Sequence, residues 1–303
     1  MIPIDLRGKV ALVTGVGDDK SFAWFISKAL QAAGARLILA VHPRMVRIVE
    51  GFLNGTNPDD LASKKLPFVE GYLSAERLLP CDVSYDSMAD VPETVRNDRR
   101  FKRIEEEFGD YSIAGLLAKV TESHQQIDML IHAIAFSAEI RNKAIDTSRS
   151  AYLQAISISS YSLTALVRAA LPLMENRPEG ASVVGLTYLG GDRVVPHYGG
   201  GMSAAKAALQ IDAKQLAHNV GSKNIRVNLI SAGPYASRAA SAIGTEEHNI
   251  HKMIEYAASR SPLPRGITAE EVANTTAFLC SPLSSGITGQ VIYVDCGYSS
   301  MGV

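Results

Sequence analysis

The sequence predicts an α/β fold, a single-domain doubly wound parallel sheet of Rossmann-like type with helices on both faces. Three observations lead there. Short β-rich runs alternate with helical ones from end to end, and parallel strands need helical crossovers of that kind. An early strand, KVALVTG, passes through a glycine-bearing turn straight into a helix, the arrangement that offers backbone N–H groups to a pyrophosphate. With 303 residues, 47% of them hydrophobic and 20% charged, the chain lies near the upper limit for one core, so one large domain competes with two; we read one, spanning 1–303.

KVALVTG is the first strand, SFAWFISKALQAAG the first helix and RLILAV the second strand. LLPCDV, residues 78 to 83, is a short third strand. DMLIHAI, SVVGLTYLG, IRVNLISAG and VIYVDCG supply the rest, each buried on both sides in a parallel sheet. Ligands of such sheets bind outside the carboxyl ends of the strands, where strand order reverses. Two stretches break the alternation. Residues 51–108 are polar and charged, as in DVPETVRNDRRFKRIEEEF, and read as a solvated surface insertion. Residues 236–260, ASRAASAIGTEEHNIHKMIEYAASR, follow a strand end, and 236–255 are expected to form a mobile cover with an apolar face of Ala236, Ala239, Ala240, Ala242 and Ile243.

Composition narrows the function. A net charge of −1 and a pI of about 6.7 provide no basic field for nucleic acid, and a small-molecule substrate fits better. No run of about 18 apolar residues predicts a membrane span, and MIPIDLRGKVALVTG carries no signal-peptide core;. These features set the expectation of a cytoplasmic, bacterial-type soluble protein without a targeting segment. Cys81, Cys280 and Cys296 have neither metal-ligand spacing nor the number for a disulfide framework, so no metal is expected.

At the nucleotide end, Gly15 and Gly17 are present, but Asp19 and Ser21 stand where the usual dinucleotide turn has its later glycines;. Ser21 can donate to phosphate or cap the helix. Asp82, followed by Val83, offers a carboxylate to an adenine amino group, and IHAIAF ends its strand in small residues. His132 reads as a packed or ribose-side histidine rather than a base. The second strand ends in AVHPR without the acid that grips the adenosine ribose of NAD;. Arg44 is there to accept a 2′-phosphate or simply to be solvated.

The most specific signal is YLGGDRVVPHYGGGMSAAK, residues 188 to 206. Tyr198 and Lys206 are eight residues apart, roughly 12 Å along one uninterrupted helix and too far for a pair. Gly199, Gly200 and Gly201 are poor helix formers, so Tyr198 is expected before the helix and Lys206 on its first turns. Oxidoreductases of the short-chain dehydrogenase/reductase superfamily place a tyrosine and a lysine together in this way, there four apart on one helix. With its glycine run and methionine, YGGGMSAAK closely resembles the NADH-dependent enoyl-acyl-carrier-protein reductases of type II fatty-acid synthesis, especially the plant and apicomplexan plastid branch. The likeness runs from PIDLRGKVALVTG through VPETV, ISISSYSL, IRVNLISAGP and SRAASAIG to YSSMGV.

The resemblance implies that Tyr198 protonates or stabilises an enolate, that Lys206 holds the nicotinamide ribose, and that Tyr188 is the second tyrosine near the substrate. It implies NADH contacts from Gly15, Ser21, Phe22, His42, Asp82, Val83, Ile134, Lys206, Tyr235, Ala236, Ser237, Arg238 and Ala239. Substrate contacts would come from Tyr188, Tyr198, Phe136, Ser137, Met202 and Ala239. His42 stands where plant relatives have tryptophan and many bacterial ones glutamine. An enoyl-acyl carrier protein as substrate and a homotetramer are also implied. A Lys206 ammonium beside Tyr198 would favour tyrosinate and so lower the pKa of the phenol. Two rivals stand beside this reading: a short-chain carbonyl or hydroxyl dehydrogenase, for which Thr187 lies near the usual serine position, and a non-catalytic NAD(H)-binding regulator.

Overall fold

The sheet sits at the centre and everything else is arranged by which of its faces it covers. In the computed structural model, residues 4–237, 240 and 249–302 are described. Seven strands, β1 (Val10–Thr14), β2 (Arg36–Val41), β3 (Arg77–Pro80), β4 (Met129–His132), β5 (Ala181–Thr187), β6 (Ile225–Ala232) and β7 (Val291–Val294), form one sheet in the order β3-β2-β1-β4-β5-β6-β7. Every pairing is parallel. Strand order reverses between β1 and β4, whose last residues Thr14 and His132 lie side by side in register.

The helices described are α1 (Phe22–Ala32), α2 (Val46–Asn54), α3 (Pro58–Lys64), α4 (Glu93–Arg96), α5 (Arg99–Phe108), α6 (Ile113–Ser123), α7 (Arg149–Ile156), α8 (Ser162–Met174), α9 (Met202–Gly221), α10 (Ile250–Arg260) and α11 (Ala269–Cys280). All five residues of β1 are buried, and because side chains alternate along a strand they feed two cores. Ala11 and Val13 enter one core with Trp24 and Leu30 of α1 and Val272 and Leu279 of α11. Val10 and Leu12 enter the other, with Leu116 of α6, Leu166 of α8 and Leu209 of α9. This is the both-faces burial that makes parallel strands apolar throughout.

The charged stretch 51–108 is better built than a solvated insertion. It contains α3, β3, α4 and α5, and the polar residues of α5 flank Phe101 and Ile104, both buried in the first core. Trp24, fully buried, donates its indole N–H to the Ser63 carbonyl at 3.0 Å and so ties α1 to α3. Between α7 and α8 the helix takes one π turn, Ser157–Tyr161, giving a continuous run Arg149–Met174. Among the described residues this run is long and apolar enough to cross a membrane, but 56% of its most apolar window is buried inside the protein, as expected for a core helix.

Candidate active site

A cavity of about 980 Å³ lies at the carboxyl ends of the strands, lined by Thr14 at the end of β1, His42 after β2, Asp82 after β3, Ile134 after β4, Tyr188 after β5 and Tyr235 after β6. Its floor is set by close backbone approach. Gly15 has φ +83°, and a Cβ there would lie 2.1 Å from the Ala133 carbonyl oxygen; only glycine lets the β1–α1 turn press against the end of β4. Ser21 is the N-cap of α1: its Oγ accepts from Trp24 N–H at 3.3 Å and donates to the Asp18 carbonyl at 2.8 Å. Of the two roles open to Ser21, capping is the one its oxygen serves, while its proton goes to the Asp18 carbonyl. Phe22 packs its ring 4.9 Å from that of Tyr235.

The far end of the cavity is ringed by charge. The Asp82 carboxylate lies 3.5 Å from His42 Nε2 and accepts from Ser84 N–H at 3.0 Å. Burial works against the charged carboxylate, but the contacts with His42 and Ser84 outweigh it and hold its pKa below the usual carboxylate range;. His42 meets the Phe101 ring edge-on at 5.6 Å. Asp98 and Phe101 of the 51–108 stretch also line the cavity, with Thr94 and Val95. Their distance in sequence from the strand ends, within a segment that reads as solvated, hid them.

At the near end the glycine run behaves as its composition predicts. Gly200 (φ +59°) and Gly201 (φ +81°) turn the chain into α9, and Gly201 is its N-cap. A Cβ on Gly199 would meet the Asn142 carbonyl oxygen at 1.8 Å, and one on Gly200 the Glu139 carbonyl at 2.4 Å. Tyr198 therefore precedes the helix and Lys206 lies on its second turn. The rings of Tyr188 and Tyr198 meet at 4.9 Å and 66°. Both hydroxyls lack a hydrogen-bond partner among the described residues, while both tyrosines line the cavity.

Lys206 is buried, and its Nζ donates to the Leu186 carbonyl at 2.8 Å. Burial pulls its pKa down to about 8. Tyr198 goes the other way, raised well above the usual phenol range by burial and then by Tyr188, and the same burial raises Tyr188. The expectation that Lys206 acidifies Tyr198 is thus corrected. The ammonium is turned down onto β5, and desolvation dominates at the phenol.

His132 is packed. It is fully buried, its Nε2 is 2.7 Å from Ser162 Oγ, and that hydroxyl gives its own proton to the Ile158 carbonyl at 2.6 Å. Nε2 is therefore the donor, Nδ1 stays unprotonated, and burial together with the Lys206 charge brings the pKa down to about 3. The π turn organises the neighbouring wall. Ser159 Oγ accepts from Phe136 N–H at 2.9 Å, and Ser160 Oγ donates to the Asp212 carboxylate of α9 at 2.7 Å. The quoted ISISSYSL carried these serines, but nothing in their spacing announces a π turn.

Of the remaining expected site residues, Val83, Ile134, Phe136, Ser137, Met202, Tyr235 and Ser237 line the cavity and Ala236 does not. Ser137 spends its proton on the Gly200 carbonyl at 2.7 Å, so it holds the glycine turn instead of offering its hydroxyl to a substrate. Arg238, Ala239, Ala242 and Ile243, and with them half of the cover expected at 236–255, lie outside the described residues; Ala240, Ile250 and Met253 line the cavity at its described ends. Thr187 is buried, with Gln210 Nε2 at 3.5 Å from its Oγ1. Among the described residues no three His, Cys, Asp or Glu side chains converge as a metal site.

The cavity suits a dinucleotide. A glycine floor admits a pyrophosphate, a carboxylate with spare acceptor capacity waits at one end, and at the other Lys206 has, among the described residues, one partner for three N–H groups;. A family model described as Enoyl-(Acyl carrier protein) reductase matches residues 109–299. The chain is 44% identical over 304 residues to the chloroplastic enoyl-[acyl-carrier-protein] reductase [NADH] 1 of Oryza sativa subsp. japonica, covering 100% of this chain and 77% of that one. It resembles the crystal structure of the Plasmodium berghei enoyl-acyl-carrier-protein reductase with triclosan at a TM-score of 0.87, with 36% identity over 97% of this chain and 99% of that one. A second structure, the Anaplasma phagocytophilum reductase in complex with NAD, matches at 0.76, with 31% identity over 100% of this chain and 98% of that one. A sequence match along the whole of this chain, the same fold and a tyrosine pair facing a dinucleotide-shaped cavity lead to one conclusion: the chain belongs to the enoyl-acyl-carrier-protein reductase family.

Proposed function

We propose that this chain is a single-domain reductase of type II fatty-acid synthesis that reduces the double bond of a trans-2-enoyl thioester on acyl carrier protein, with NADH as reductant. The observation that carries the reading is the Tyr198 hydroxyl, held before α9 by the glycine turn and facing the cavity without a partner among the described residues, with Lys206 buried on α9.

NADH supplies a hydride for the carbon β to the thioester carbonyl. The charge that then develops on the thioester oxygen needs a donor, and Tyr198 is the group we assign to it. A raised pKa keeps that phenol protonated at neutral pH, which is the state a donor needs. Tyr188, edge-on to it, shapes the pocket and limits the orientations the Tyr198 ring can take;. Among the described residues Lys206 bonds to Leu186 alone, which fixes the stem and leaves N–H groups for ribose hydroxyls. Gly15, Phe22, His42, Asp82, Val83, Ile134, Tyr235 and Ser237 are assigned to the rest of the dinucleotide, and Phe136 and Met202 to the acyl chain.

The test is oxidation of NADH by a crotonyl or longer enoyl thioester, run beside a ketone or aldehyde of similar size. Turnover of the enoyl thioester alone is expected. Turnover of the carbonyl compound alone, or NADH binding without turnover of either, would overturn the reading in favour of one of its two rivals.

We also propose a homotetramer. Exposed Tyr152 and Leu153 on α7, Tyr161 beside α8 and Ile211 on α9 form the kind of apolar surface that assembly covers, and light scattering would give four chains per particle. The cytoplasm remains our proposed compartment for a bacterial-type chain, with the plastid of the plant relatives as the competing one; imaging the protein in its native cell separates them.

A further inference from the structure

We infer that Asp98 sets the preference for NADH over NADPH, supplying from the start of α5 the negative charge that the end of β2 lacks. The inference rests on the dinucleotide-dependent reading above. In dinucleotide folds an acid at the end of the second strand takes the ribose 2′-hydroxyl, whereas an arginine nearby accommodates a 2′-phosphate. Here β2 runs into His42-Pro43-Arg44, with no acid, and that arginine by itself would invite the phosphate.

Arg44 is already engaged. Its guanidinium lies 3.8 Å from the Asp98 carboxylate and 5.3 Å over the Phe101 ring. The carboxylate is held in place from below: Asp98 is the N-cap of α5, and its Oδ1 accepts from Arg100 N–H at 2.9 Å and Phe101 N–H at 3.4 Å, which leaves Oδ2 as the oxygen nearest Arg44. Arg44, Asp98 and Phe101 all line the cavity beside His42 and Asp82. Each basic side chain at this end thus has a carboxylate of its own, His42 with Asp82 at 3.5 Å and Arg44 with Asp98 at 3.8 Å. The next arginine along, Arg47, is held by Glu50 and Glu107. A neutral ribose hydroxyl fits such a balanced rim. A phosphate dianion would have to take Arg44 from Asp98 while lying close to that carboxylate, and like charges so placed repel.

Asparagine caps a helix as well as aspartate, so Asp98→Asn removes the charge and keeps the start of α5. The measurement is the dissociation constant of NADPH and of NADH, by calorimetry on the full-length protein, for the parent, Asp98→Asn, Arg44→Ala and the double variant. Asp98→Asn is expected to lower the NADPH-to-NADH ratio of dissociation constants about tenfold, the scale of one charge removed in a partly solvated site. In the Arg44→Ala background the same change is expected to do clearly less, because only the direct repulsion between carboxylate and phosphate is left to relieve. Asp98→Ser, a second capping residue without charge, repeats the test should the asparagine variant fold poorly. An unchanged ratio in a folded uncharged variant, or an equal drop with and without Arg44, would overturn the assignment. The reductase reading fails separately, through absent enoyl turnover while these binding constants stay measurable.

Discussion

The two ends of the cavity are built by different physics. Around Tyr198 and Lys206 the groups are withdrawn from solvent and positioned by backbone, with glycines that allow no Cβ and a lysine bonded to a strand carbonyl. Around His42, Arg44, Asp82 and Asp98 the groups are mostly half-exposed and positioned by one another as ion pairs. Burial magnifies whatever charge develops at the first end, while water weakens every pair at the second. Chemistry therefore belongs to the buried end and selection to the open one, and substitutions should separate them by size as well as by kind.

The largest effect is expected from Tyr198→Phe. Removing a single donor to a developing oxyanion costs about 10² to 10³ in kcat, with NADH affinity retained in titration. Near-parent turnover in a folded variant would remove the centre of the mechanism.

Lys206 sharpens the comparison because its costs and benefits have opposite signs. Its pKa is about 8 in the folded chain against 10.5 for an unburied lysine. Below about pH 8 both folded and unfolded chains hold the proton and the folded state bears the full cost of a buried ammonium; between about 8 and 10.5 only the unfolded chain holds it, so stability rises with pH there. NADH affinity, if it uses the ammonium, falls as pH rises through about 8. Lys206→Met is thus expected to weaken NADH binding at pH 7 by ~10-fold or more and to abolish that pH dependence, yet to raise stability by ~1–2 kcal/mol. Calorimetry across pH 6–10, paired with thermal melts, reads both.

Gly200→Ala tests whether backbone does the positioning. Its φ of +59° and the 2.4 Å approach to Glu139 leave no room for a methyl group, and displacement of the turn is expected to lower kcat by ~10-fold and stability by ~1–3 kcal/mol. Parent-like kinetics would mean that Tyr198 does not depend on the turn. Tyr188→Phe is expected to do less, a loss within ~10-fold in kcat with NADH affinity kept; a loss as deep as that of Tyr198→Phe would assign both hydroxyls to the oxyanion.

The smallest effect is expected at the open end. Asp82→Asn keeps an acceptor for an adenine amino group but removes the charge beside His42, and NADH affinity should fall by only a few-fold with kcat unchanged. A drop in kcat comparable to that of Gly200→Ala would show that the two ends are coupled and would break the division drawn here.

What the amino-acid order determined by itself is what local rules can carry. Strand runs such as RLILAV declare themselves because both faces of a parallel strand are apolar, and the switch-point cavity follows from their alternation. The glycine run announced a break between Tyr198 and α9 because positive φ is a property of the residue itself. Polar residues on α5 concealed Phe101 and Ile104, since one buried stripe is enough to seat a helix that is charged elsewhere. Only the tertiary structure decided that Asp98 would reach Arg44 across 54 residues of chain, that Lys206 would turn to β5 and leave the phenol unacidified, and that the π turn and the first residue of α8 would aim three serines at α9, β4 and the loop after β4. Those outcomes depend on desolvation and on distances between remote segments, and neither quantity exists until the sheet has brought the segments together.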